Sequence, residues 1–107
     1  MAMNAPLRPA ILFWYGRLLT RLKRRSAALE AFRQVTREVP RHRQAWSCMG
    51  FLLAEREQFD SAIEAFEHAL ALDARDAPSH FNIGFLLQRV NRHEQALEQA
   101  AAVHWKA

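Results

Sequence analysis

Trp46-Ser47-Cys48-Met49-Gly50-Phe51-Leu52-Leu53 decides the fold, read together with Ala62-Ile63-Glu64-Ala65-Phe66-Glu67-His68-Ala69, which opens twelve residues after Gly50. In both stretches the small and large apolar residues recur at three and four, the spacing of one helix face. Gly50 is the middle one of only three glycines. Gly16 and Gly84 stand 34 residues to either side of it, and Ala28 and Ala96 flank Ala62 at the same step. A fixed period of this length marks one short structural unit written several times.

Laid over one another, the copies span residues 9–42, 43–76 and 77–107, with residues 1–8 as an N-terminal extension and a single domain overall. Leu12, Trp46 and His80 stand four before the glycines, Tyr15, Met49 and Ile83 one before, and Leu19, Leu53 and Leu87 three after. His80 is the misfit in that frame. The second stretch carries Ala28, Phe32 and Val35, then Ala62, Phe66 and Ala69, then Ala96, Ala100 and Val103. Polar breakers separate the two stretches of each copy: Arg24-Arg25-Ser26, Gln58-Phe59-Asp60-Ser61 and Asn91-Arg92-His93.

Local signals set the expected ends. Ser61 with Glu64 reads as a capping box opening the second helix of copy two. Asp76 followed by Pro78 opens the first helix of copy three, where proline's missing N–H costs nothing. Pro40 closes the second helix of copy one. The expectation is six helices in three antiparallel pairs. Glycine on the first helix and alanine on the second let the two backbones approach, while Phe32 or Phe66 fills the space beside them.

The pattern Trp46-x2-Met49-Gly50-x2-Leu53, followed by Ala62-x3-Phe66-x2-Ala69, resembles the tetratricopeptide repeat family. Copy one matches through Gly16, Ala28, Phe32 and Pro40. Copy three keeps Gly84 and Ala96, has Ala100 where the family prefers an aromatic, and stops about three residues short. The resemblance implies an all-helical, right-handed superhelical array acting as a non-catalytic scaffold for a protein or peptide ligand. It also implies that the first helices line a concave face. Helical geometry then selects the stripes Phe13, Arg17, Arg21; Ser47, Phe51, Glu55; and Phe81, Phe85, Arg89, with Asn82 beside the third and Cys48 beside the second.

The groove is therefore expected to offer Phe13, Phe51, Phe81 and Phe85 as apolar anchors and Arg17, Arg21 and Arg89 as cations, both common hot-spot types. Its ligand would carry apolar and acidic side chains. Each phenylalanine has an alternative place, packed between adjacent first helices, and Glu55 has one in an ion pair between copies. One sub-class of the family clamps chaperone-tail carboxylates with Lys and Asn. Phe13, Arg17 and Cys48 stand where that clamp would need them, so such a clamp is not expected.

Charge is uneven. Residues 1–43 hold ten Lys/Arg against two Glu, a net +8, and residues 44–107 hold five against nine, a net −4. Nucleic acid ranks below protein as a partner, because no aromatics interleave with Arg21-Leu22-Lys23-Arg24-Arg25. An anionic membrane surface also ranks below, although Phe13 and Trp14 precede the basic residues. Self-association into a homo-oligomer is expected from open repeat ends and from the basic-to-acidic asymmetry. His42, His68, His80, His93 and His104 lack metal-ligand spacing, and there is no glycine-rich phosphate loop, so no metal, cofactor or catalytic residue is expected. Cys48 stands alone and reads as a small buried hydrophobe. No apolar run reaches a bilayer-spanning length and no secretory signal is recognisable, which makes the cytoplasm the expected location.

Overall fold

The computed structural model describes the backbone of residues 7–106 and the side chains of residues 7–101. It is all-helical over that range. Five helices follow in order: α1 (Leu7–Arg21), α2 (Arg25–Glu38), α3 (Arg43–Glu55), α4 (Phe59–Leu72) and α5 (Ala77–Lys106). Each helix packs on its neighbour in the chain. The radius of gyration is 17.2 Å, against about 13 Å for a compact globule of this length. The chain is thus a stack rather than a ball.

The first two copies form the expected hairpins, and one aromatic in each explains why. A Cβ placed on Gly16 would meet the Phe32 ring at 2.8 Å, and one on Gly50 would meet Phe66 at the same distance. Both rings are fully buried. Their burial contributes roughly 1.5–3 kcal/mol each. That offsets the cost of the turns, where Lys23 and Glu57 adopt φ 60°, a left-handed conformation worth about 1–2 kcal/mol of strain in a side-chain-bearing residue.

The third copy departs from the expected hairpin, so there are five helices and not six. Residues 77–106 form one continuous helix of 30 residues running straight through Asn91-Arg92-His93. Ala100 stands where Phe32 and Phe66 stand in the other copies. Among the described residues nothing lies within 4 Å of a Cβ on Gly84. An alanine cannot fill that space, so turning back would bury too little to offset the turn, and Ala96-Leu97-Glu98-Gln99-Ala100-Ala101 are good helix formers.

The helix ends match the local signals in part. Helix α2 stops at Glu38, before Pro40. Asp76 caps α5, its Oδ1 accepting from the Ser79 backbone N–H at 3.4 Å. The Ser61–Glu64 capping box is not used. Helix α4 begins earlier, at Phe59 after Gln58, the same register in which α2 begins after Arg24. Closing Phe66 on Gly50 fixes that register and places Ser61 inside the first turn.

Candidate functional site

Helices α1, α3 and the first turns of α5 line one face of the stack. Between them lies a hollow of about 440 Å³. Arg17, Thr20 and Arg21 border it from α1, Arg43, Ser47, Cys48 and Phe51 from α3, and Pro78, Ser79 and Asn82 from α5. A smaller hollow of about 220 Å³ continues along α5 past Phe51 to Glu55, Phe85 and Arg89. The two share Phe51, Phe66 and Asn82.

Eight of the ten expected groove residues therefore line one continuous surface. Phe51 and Phe85 are half or more exposed on it. The Arg89 guanidinium lies 5.9 Å from the Phe85 ring centre and 5.6 Å from that of Phe59. Arg17 lies 5.5 Å from Trp14 and 5.9 Å from Phe13. Among the described residues neither Arg17 nor Arg21 has a carboxylate within ion-pairing reach.

The other two residues stand apart. Phe13 is only 3% exposed and packs 5.7 Å from Phe32 and 4.7 Å from His42. It is core between copies, the alternative place open to each phenylalanine. Phe81 is 72% exposed but borders neither hollow. It holds the position of Phe13 and Ser47, which face the residues capping the following helices, His42 and Asp76. Glu55 borders the smaller hollow but is engaged, pairing with Arg25 at 3.2 Å across the α2–α3 junction.

The floor of the larger hollow is a polar network that the sequence only hinted at. Asp76 Oδ2 accepts from Arg43 Nη1 at 2.9 Å, from Ser79 Oγ at 2.8 Å and from Ser47 Oγ at 3.4 Å. Burial of the Asp76 carboxylate pushes its pKa up. Hydrogen bonds from Ser79 and Arg43, with the Arg43 charge, outweigh this and hold it below the usual value. The available signal was opposite charge on Arg43 and Asp76 at successive helix starts. His42 occupies the matching cap position on α3, its Nδ1 accepting from the Ala45 N–H at 3.2 Å.

Cys48 is half-buried at the hollow's edge. Burial pushes its thiol pKa up, with Arg17 pulling against it. Among the described residues no cluster of His, Cys, Asp and Glu could hold a metal ion, and no helix is long and apolar enough to cross a membrane. Several cations of the basic half are engaged. Arg8 pairs with Glu38, Arg37 with Glu30, and Arg43 with Asp73 and Asp76. Trp14 stands exposed on α1.

Residues 43–76 match the tetratricopeptide repeat family. A mutant of MamA superposes with a TM-score of 0.72 at 24% identity, covering 84% of this chain and 66% of that one. A double mutant of MamA from RS-1 gives 0.74 at 26% identity, covering 90% and 54%. The CopN-Scc3 complex gives 0.75 at 21% identity, covering 84% and 53%. The chain thus spans about half to two thirds of the length of these solved chains. No curated protein matches it.

Proposed function

We propose that this chain, which belongs to the tetratricopeptide repeat family, is a non-catalytic protein-interaction module that binds an acidic peptide segment on the face formed by α1, α3 and α5. The observation that carries this reading is that Arg17 and Arg21, which no carboxylate of the described residues pairs, stand with the exposed Phe51 around one hollow. Arg8, Arg25, Arg37 and Arg43 pair with carboxylates of the same chain. Among the described residues Arg17 and Arg21 do not, and they stand where a ligand would lie.

The ligand chemistry follows from these groups. A carboxylate accepts charge-assisted hydrogen bonds from guanidinium groups, and a large apolar side chain covers Phe51 and Phe85. Asn82 and Ser47 offer polar contacts to a peptide backbone. Arg43 is held by Asp76 and keeps the floor rigid rather than reaching for ligand. A neighbour solved as the CopN-Scc3 complex is in keeping with a protein partner. A right-handed course for the stack and a cytoplasmic location belong to the same proposal.

Selection from a displayed random-peptide library tests it. Retained peptides should be enriched in Asp or Glu next to large apolar residues. Arg17→Glu and Phe51→Ala should each weaken the best peptide by about tenfold or more while helicity stays unchanged. Enrichment of basic peptides, or affinity indifferent to both substitutions, contradicts the proposal.

A further inference from the structure

Helix α1 carries an uncovered apolar face whose occupant the repeat itself describes. Ile11 and Leu18 are 59% and 53% exposed, while Leu52 on α3 and Leu86 on α5, one and two periods on from Leu18, are 1% and 4% exposed. Ala45 and Ser79, the equivalents of Ile11, are buried as well. Helices α3 and α5 bury these positions because each packs on the second helix of the preceding copy, α2 or α4. Among the described residues α1 has no such helix against it. Leu7, Trp14, Tyr15 and Leu22 extend the same exposed stripe, and an apolar patch of this continuity marks an interaction surface.

Among the described residues, one segment carries the second-helix pattern with nothing packed on it. Ala96, Leu97 and Ala100 repeat the register of Ala28, Leu29 and Phe32, all buried in α2, yet all three are exposed on the far half of α5. Charge matches as well. Helix α1 carries Arg8, Arg17 and Arg21 and no acid, whereas Glu94 and Glu98 flank Leu97. Two α1 helices would oppose like charges, while α1 against the Glu94–Glu98 turn around Leu97 opposes unlike ones. Helices α2 to α4 separate the two surfaces within one chain, so a single copy cannot join them.

We infer that a second copy covers the α1 face, docking the far half of its own α5 there through Leu97 and continuing the stack head to tail. This goes beyond the groove reading and does not depend on it. The contact is heterologous, with donor and acceptor on different surfaces, so each docked copy leaves one of each free and assembly is open-ended.

Blocking the two surfaces separately tests the inference by sedimentation velocity on the full chain. Ile11→Glu with Leu18→Glu blocks the acceptor, and Leu97→Arg blocks the donor. All three residues are exposed, and circular dichroism checks that helicity is kept. The unsubstituted chain should grow in mass beyond a dimer as concentration rises. Each blocked variant alone should be monomeric, and their mixture should form a one-to-one dimer and stop there. The inference is overturned by a monomeric unsubstituted chain, including one that binds anionic vesicles through α1 instead. It is equally overturned if either variant alone still dimerises, or if the mixture stays monomeric.

Discussion

The ring of Phe66 lies 2.8 Å from where a Cβ on Gly50 would stand, so the residue that lets the second hairpin close is also the one that cannot be enlarged. Gly16 and Phe32 repeat the relationship. Gly84, in the same register, has no neighbour at that place.

Identical substitutions should therefore differ in sign. Gly50→Ala should destabilise the fold by about 1–3 kcal/mol, because the buried Phe66 ring must shift. Gly84→Ala should stabilise by about 0.5–1 kcal/mol, since alanine is the better helix former and meets nothing. Urea unfolding of the two variants checks this. Equal effects would mean that Gly84 is packed.

Asp76 links the start of α5 to α3. Asp76→Ala should cost about 1–2 kcal/mol through the lost cap and leave Arg43 and Ser79 without their acceptor. Its carboxyl is held below the ordinary value, so its contribution is fully present above the unfolded carboxylate pKa of about 3.9. It is lost as pH falls through the lower, folded value. Thermal unfolding should show a decline at acidic pH that is smaller in Asp76→Asn, which keeps a capping oxygen but no charge.

His42 gives the stack a second pH response at a milder value. Burial against Phe13 lowers its pKa, a hydrogen bond with its own backbone opposes this, and the Arg43 charge lowers it further. Its Nδ1 caps α3 only when unprotonated. The stabilisation is thus complete above the unfolded histidine pKa of about 6.5 and fades as pH drops through the lower, folded value. His42→Asn retains a capping acceptor and should remove this component of the melting temperature's pH dependence between pH 7 and 5. An unaltered pH profile would rule out the cap.

Cys48 reports on the groove. With its thiol pushed up by burial, it should react with a maleimide several-fold more slowly than free cysteine at neutral pH, because the thiolate is the nucleophile. A saturating acidic peptide should slow the reaction further. Arg17→Glu, which removes the cation pulling the thiol down, should slow it in the absence of peptide. Faster labelling in that variant would contradict the placement.

Four of the five helices were legible in the sequence because the period repeats the whole packing unit, both the small residue and the ring that covers it. The third hairpin was not. Gly84 and Ala96 keep the frame, but closing it needed the ring that Ala100 lacks, and a continuous helix satisfies its backbone at lower cost. The burial of Phe13 was one of two readings that spacing left open, because His42, the cap of α3, decides it. Arg43 with Asp76, and Arg25 with Glu55, lie 33 and 30 residues apart, so their pairing becomes visible only once the stacking of copies is known. The clustered arginines and aromatics of the groove were legible as a stripe. Which of them remain unengaged was not, since that depends on where every carboxylate falls.

Amide chemical-shift mapping with a library-selected acidic peptide tests the central claim most directly. Shifts concentrated at Arg17, Arg21, Ser47, Phe51 and Asn82, with α2 and the outer side of α4 unmoved, are the result the account predicts. Shifts confined to α2 and α4, or to the exposed stripe of α1, would contradict it.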